Sequence, residues 1–252
     1  RCGGKLINRC LGAMQSFVVF SELNPDHGID QLLTQSRMWH GFMGPVQVNA
    51  LKCLYPLMPT TAYRLGVGIA QKACAASGRS LVIREWSHFD FVGVPFTSKP
   101  SGTSSVLRLL SGRFKLRSVA VVRHPLDQYL SSIQRTGMAH LSEKSFLDGY
   151  LKFAEFATTL PIVKYEDFVS APSTALHSMC SSLALAYDPT WESRWREYDR
   201  VTGDNRQPKA SRGNTADNIV PLGRRNEDSA AAKRLQSLPD YEFACKRLGY
   251  TE

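Results

Sequence analysis

The sequence is short of several features that would have assigned it quickly. Its six cysteines (Cys2, Cys10, Cys53, Cys74, Cys180, Cys245) include no CxxC pair, and none stands near a histidine at metal-ligand spacing. This argues against a zinc site or a redox dithiol, and for free thiols in a reducing, cytoplasmic compartment. There is no Asn-x-Ser/Thr acceptor, which points the same way. No apolar run approaches the ~18 residues that a membrane helix needs. There is no internal repeat, no low-complexity tract, no Lys/Arg run and no zinc-finger or RNA-recognition motif. The net charge of +9, from 31 basic and 22 acidic residues, is therefore dispersed. Dispersed positive charge on a globular chain favours a small polyanion over nucleic acid.

What is present fits one α/β domain of 252 residues with 43% hydrophobic content. Apolar runs read as strands at "SFVVFSE", at Leu81 to Ile83, at Val119 to Val122 and at "LPIVK". Between them lie helical patterns at Leu6 to Met14, Asp30 to Trp39, Leu65 to Ser77, Glu143 to Thr158, from Pro172 onward, and at the carboxyl end in "ACKRLGY". The strands read as continuous apolar runs rather than alternating ones, the pattern of a parallel sheet covered on both faces. Residues 41–62 and 89–104 carry no clear period. The stretch 201–225 is long, polar and basic. The opening "RCGGKLINRC" reads as the middle of a motif, so a first strand or a targeting segment is expected upstream of residue 1.

The stretch "SVAVVRHPLDQYLSSIQR" is the most informative. An apolar strand ends on Arg123 and turns at once into a helix, with Pro125 suited to its first position and Gly137 to its stop. In a parallel α/β sheet, ligands bind at the carboxyl ends of strands. Arg123 there stands beside a helix N-terminus, whose dipole favours an anion, and its guanidinium fork can hold a phosphate bidentately. Helical side chains lean back toward the N-terminus, so the hydroxyl of Ser131, two turns on, can face the same anion. Pairing of Arg123 with Asp127 is the plainer alternative.

The segment "VVRHPLDQYLSS", with its serine eight positions after the arginine, resembles the 3′-phosphate-binding segment of sulfotransferases that use PAPS (3′-phosphoadenosine 5′-phosphosulfate). "RCGGKL" is similar to that family's 5′-phosphosulfate loop. "PIVKYEDFVSAPSTALHSMCSSLAL" resembles its strand–Tyr-Glu-Asp–turn–helix segment, and "ACKRLGY" its last helix. The four segments stand in the family's order over nearly the whole chain. The resemblance implies a P-loop-type single α/β domain and PAPS as cofactor, with PAP as the product and no metal. It also implies sulfonate transfer to a hydroxyl or amine of a small-molecule or glycan acceptor. Cofactor contacts would fall to Arg1, Cys2, Gly3, Gly4, Lys5 and Leu6 in the first loop, and to Arg123 and Ser131. A basic closing loop would be either Ser211 to Gly213, with Arg212 and Gly213, or Gly223 to Arg225, with Arg224 and Arg225. The loop carries Gly4 and Lys5 where the family has small hydroxyl residues, and Leu6 where an aromatic residue often stacks on adenine.

Sulfuryl transfer also needs a general base. Two residues qualify: Glu22, at the end of "SFVVFSE", and His88, in "REWSH". Arg84, at another strand end, would orient the acceptor or neutralise the transferring group. Its alternative is a salt bridge to Glu85 or Glu22. Trp86, Trp39 and the methionines from Met38 to Met58 are either acceptor-pocket or core residues. Two other activities compete. One is a non-catalytic PAP-binding or nucleotide-binding protein on the same fold. The other is an ATP-dependent P-loop kinase, which "GGKL" disfavours because no Ser/Thr follows the lysine to hold magnesium.

Overall fold

The computed structural model describes residues 3–134, 137–202, 218–221, 223–225 and 227–250. Four strands are present: β1 (Phe17–Leu23), β2 (Ser80–Glu85), β3 (Ala120–Val122) and β4 (Ile162–Lys164). They pair in parallel as two ladders, β1 with β2 and β3 with β4. Helices connect and cover them: α1 (Gly4–Ala13), α2 (Asp30–Thr34), α3 (Pro45–Leu54), α4 (Pro59–Ala76), α5 (Ser87–Phe91), α6 (Ser105–Leu110), α7 (Pro125–Ile133), α8 (Glu143–Ala157), α9 (Tyr165–Ser170), α10 (Pro172–Leu183), α11 (Trp191–Arg194), α12 (Ala230–Gln236) and α13 (Tyr241–Arg247). This is the α/β architecture that the continuous apolar runs implied. β1 is buried on both faces along most of its length, as a parallel strand between two helical layers must be.

The core has three parts. Val18, Phe20 and Leu23 of β1 pack with α2, α3, α4 and α6 on one face. Phe17 and Val19 point to the other face and pack with α1, α9, α10 and α11. The third part joins β3 and α7 to α8, α12 and α13. The five described cysteines are free, and Cys53 alone of them is exposed. No helix among the described residues is long and apolar enough to cross a membrane.

Three local readings are corrected. The helix expected over Asp30 to Trp39 is α-helical only to Thr34, and Gln35–Trp39 forms a π-helical turn. The reason is Gln35. Its side chain is fully buried, its Oε1 accepts from Ser21 N at 2.6 Å and its Nε2 donates to Ser21 O at 2.7 Å. A wider turn places that amide against β1 as if it were a neighbouring strand. The unreadable stretch 41–62 contains α3 and the start of α4, each with proline at its first turn. The turn expected after β4 is the short helix α9.

Ser21 gathers further partners: Asn8 Nδ2 at 3.2 Å, Thr202 N at 3.2 Å and Thr202 Oγ1 at 2.9 Å. This cluster fixes the end of β1 just before Glu22. Gln35→Met keeps the volume but leaves Ser21 N and O without their partners. It should lower stability by roughly 1–3 kcal/mol per buried group left unpaired, read by chemical denaturation monitored by circular dichroism.

Candidate functional site

The site is built around two strand-to-helix turns. Gly3 precedes α1 with φ +68°, the left-handed region that glycine enters without a Cβ penalty. Its carbonyl accepts from Leu6 N at 2.9 Å and Ile7 N at 3.1 Å. A Cβ at Gly3 would lie 2.1 Å from Cε2 of Tyr165, so the turn and the Tyr165 ring are in closest packing. On that same ring lies the guanidinium of Arg123, with Cζ 4.7 Å from the centroid, a cation–π contact of ~0.5–2 kcal/mol. Tyr165 thus joins the first loop to the end of β3. Sequence reading quoted the Tyr-Glu-Asp segment without giving this tyrosine a role.

Arg123 is only 7% exposed and Ser131 only 5%. Tyr150 Oη donates to the carbonyl of Arg123 at 2.8 Å. Glu166, next to Tyr165, accepts from His124 N at 3.0 Å and Tyr250 Oη at 2.9 Å, which anchors the start of α7. Arg225 lies along α7: its backbone N donates to Asp127 Oδ1 at 2.8 Å, Nη1 to Gln134 Oε1 at 2.7 Å and Nη2 to Ser131 Oγ at 3.5 Å. Gly223 to Arg225 is thus brought to Ser131, while Ser211 to Gly213 lies outside the described residues. Arg224 turns instead to Asp127 (3.6 Å) and Glu227 (3.8 Å). Arg1, Cys2, Arg212 and Gly213 lie outside the described residues.

A cavity of about 730 Å³ opens here, lined by Gly3, Gly4, Lys5, Leu6, Arg123, Ser131 and Arg225, and also by Glu22, Arg84 and His88. The structure therefore gathers the first loop, the Arg–Ser pair and both candidate bases into one space. Glu22 sits at φ +55°, in a register shift between Phe20 and Leu23. A left-handed conformation costs a non-glycine residue ~1–3 kcal/mol and persists where surrounding contacts over-determine it; here the Ser21 cluster does so. The Glu22 carboxylate meets Arg84 Nη2 at 2.6 Å, so Glu22 is a salt-bridge partner of Arg84. Gly4 makes room for that arginine, since a Cβ there would lie 2.7 Å from Arg84 Nη1. His88 Nε2 lies 2.6 Å from the Val94 carbonyl. A carbonyl only accepts, so Nε2 carries a proton, and Nδ1 is the ring nitrogen left to accept one.

Sequence reading missed Glu85 and Asp90. Glu85 lines the cavity. Its carboxylate accepts from Ser104 Oγ at 2.8 Å and from Val106 N at 2.9 Å. Asp90 accepts from Asn24 Nδ2 at 2.8 Å and from Ser105 N at 3.0 Å. Together they pin α5 and α6 to the end of β2. Burial, joined by the neighbouring Asp90 charge, pushes the Glu85 carboxyl well above the usual range. Trp86 borders the cavity, while Trp39 and the methionines Met38 to Met58 are not among its lining residues. Of these methionines, Met43 is core. Among the described residues, no three His, Cys, Asp or Glu side chains converge as a metal site.

With this geometry established, comparison with known proteins is informative at the level of fold. No protein-family model matches the sequence, and no curated protein matches it. The sulfotransferase domain of the Synechococcus PCC 7002 olefin synthase superposes with a TM-score of 0.63 at 17% sequence identity, covering 100% of this chain and 92% of that one. The sulfotransferase domain of the curacin biosynthetic pathway gives a TM-score of 0.50 at 17% identity, covering 99% and 94%. The chain has the fold of sulfotransferase domains.

Two outcomes test the site's construction. Gly3→Ala forces a side chain into the left-handed region and into the Tyr165 ring. It should cost ~1–2 kcal/mol from the backbone alone and more from displacing Tyr165, measured by urea unfolding. His124 supplies a pH test. Burial, then the guanidiniums of Arg224 and Arg123, push its pKa from 6.5 down to about 4, against the pull of Asp127. Between those values the unfolded chain binds a proton that the folded chain refuses, so stability falls as pH drops from 6.5 toward 4. Replacing His124 by Asn should flatten that part of the stability–pH curve.

Proposed function

We propose that this chain is a PAPS-dependent sulfotransferase that acts on a hydroxyl or amine acceptor. The observation that carries the reading is the convergence of Arg123, Ser131 and the Gly3–Lys5 turn on one cavity, linked through the Tyr165 ring. Lys5, Arg84, Arg123 and Arg225 all line it, which suits a ligand bearing several anionic groups. The residues fit the cofactor in charge and in the glycine turn, and Leu6 offers an apolar surface in place of an aromatic ring. When bound, PAPS supplies an activated sulfonate on its 5′-phosphate.

Each residue then has a task. Arg123 and Ser131, with Arg225 behind the serine, hold the 3′-phosphate. The N-terminus of α1 and Lys5 bind the 5′-phosphate, where charge develops during transfer. Arg84, paired with the Glu22 carboxylate, would orient the acceptor or neutralise the transferring group. Glu22 takes the acceptor proton as general base, and His88, through Nδ1, is the second candidate for that role. The acceptor is a small molecule or glycan approaching past Trp86.

The altered first loop, with glycine and lysine in place of small hydroxyl residues, favours one rival: a PAP-binding protein without turnover. Calorimetry with PAP, followed by sulfonate-transfer assays on phenols, sugars and amines, separates the readings. Binding of PAP with turnover on one acceptor class is expected, and EDTA should leave the rate unchanged. Arg123→Ala should weaken PAP binding roughly 10–100-fold without unfolding the protein. Glu22→Gln should spare binding and reduce turnover by ~10²–10⁴-fold; turnover that survives it transfers the base role to His88. PAP binding without turnover supports the rival, and no PAP binding defeats both.

A further inference from the structure

A second concavity lies at the other end of the first ladder. β1 and β2 start together, with Phe17 paired to Ser80, and at their far ends Glu22 and Arg84 line the cavity already described. Strands of this length put ~20 Å between the two ends. An open cleft of about 500 Å³ surrounds the starting end, bordered by His40, Arg79, Arg194, Glu197, Tyr198 and Arg200. Its floor is the end of α1 and the first residues of β1. It shares no lining residue with the first cavity.

Elements far apart in sequence bring these groups together. Arg79 is the last residue before β2, His40 follows the π-helical turn, and Arg194, Tyr198 and Arg200 come from α11 and the chain after it. Tyr198 stands over Gly12, where a Cβ would lie 2.7 Å from its Oη. Burial pushes the Tyr198 phenol up to about 12, so at neutral pH Oη keeps its proton and can donate. The His40 ring stacks on Phe20 and Phe42, with centroids 5.6 and 5.4 Å away. Its Nε2 and the Nε of Arg194 are buried, and neither has a hydrogen-bond partner among the described residues. The charges around them are only partly met. Arg194 pairs with Asp188 at 2.7 Å. Arg79 donates through Nε to Ser77 Oγ at 3.0 Å. Among the described residues, no carboxylate pairs with Arg79 or Arg200, although Glu197 stands on the same rim. Burial, then the Arg200 and Arg79 charges, push the His40 pKa from 6.5 down to about 4, so both guanidiniums act on one place. The carboxyl end of α1 also attracts cations. Among the described residues, none of the three guanidiniums donates to an α1 carbonyl, so helix capping leaves their donors unused.

We propose that this cleft is a second anion site, which binds a phosphate dianion, free or on a small monoester. The forks of Arg79 and Arg200 match the oxygens of a dianion bidentately, and Tyr198 Oη adds a neutral donor that fixes its position. The apolar atoms of Ala13, Met14 and Phe17 on the floor offer a surface to a short carbon skeleton, which favours the monoester. Inorganic phosphate carries the same charge on a smaller body and leaves that floor uncovered. The inference is independent of the proposed activity, because no residue of this cleft serves it.

Titration calorimetry at about pH 8, where both probes are dianions, tests the site with glycerol 3-phosphate and with inorganic phosphate. One saturable site is expected, tighter for the monoester. Arg79→Gln and Arg200→Gln should each weaken monoester binding roughly 10–100-fold. Tyr198→Phe, which keeps the ring over Gly12, should weaken it roughly 5–10-fold. Arg200 is exposed, so its replacement leaves the fold intact, and circular dichroism checks each variant. Arg123→Ala in the first cavity and Lys152→Gln, an exposed cation on α8, should leave the isotherm unchanged. Equal affinity for the two probes keeps the anion site and makes free phosphate its ligand. Absence of binding overturns the proposal. So does binding lost in Arg123→Ala but retained in the Arg79 and Arg200 variants, which places the probe in the first cavity. Binding weakened by the arginine changes but untouched by Tyr198→Phe overturns it as well, because surface charge alone then accounts for the effect.

Discussion

The Tyr165 ring carries the site. Its Cδ2–Cε2 edge is packed against the Gly3 turn, where a Cβ would collide with it, and the Arg123 guanidinium lies 4.7 Å from its centroid. Neither turn is anchored to the other by a backbone ladder. The ring lies between them, and it is held because α9 begins at the end of β4. An aromatic side chain with two torsions is a stiff spacer, so the turn and the guanidinium keep a fixed separation.

The second half of the site is ordered by a different device. At the end of β1 the backbone is forced into a left-handed step at Glu22, and the cost is offset by hydrogen bonds converging on Ser21 from Asn8, Gln35 and Thr202. The π turn at Gln35–Trp39 exists to deliver that glutamine amide. An acidic side chain that would otherwise follow the pleat is turned to the cavity, where Arg84 meets it. Strain, a buried polar cluster and an ion pair thus act on a single carboxylate. Behind it, Glu85 and Asp90 hold the first turn of α6, so the acids of "REWSHFD" serve structure as well as the cavity wall.

Much of this was legible in the residues. The strand at Val119 to Val122, the helix begun by Pro125 and the placement of Arg123 and Ser131 follow from local rules: apolar run, fixed proline φ, helical spacing. The helix at Glu143 and the one at Pro172 were legible for the same reason. The stretch 41–62 was not, because α3 and the turn after it carry exposed apolar residues such as Val46 and Leu57 and so lack a clean period. The role of Tyr165 was hidden because a tyrosine at the start of a helix looks like any core aromatic.

By itself, then, the amino-acid order determined the class of fold, the strand end that carries Arg123 and the helix after it that carries Ser131. These depend on dihedral preferences and on periodicity over a few residues. The tertiary structure alone brought Arg225 to Ser131 and Glu22 to Arg84, and placed a ring between Gly3 and Arg123. Each of those is a contact between residues far apart in the chain, and no local propensity encodes the meeting of two distant surfaces.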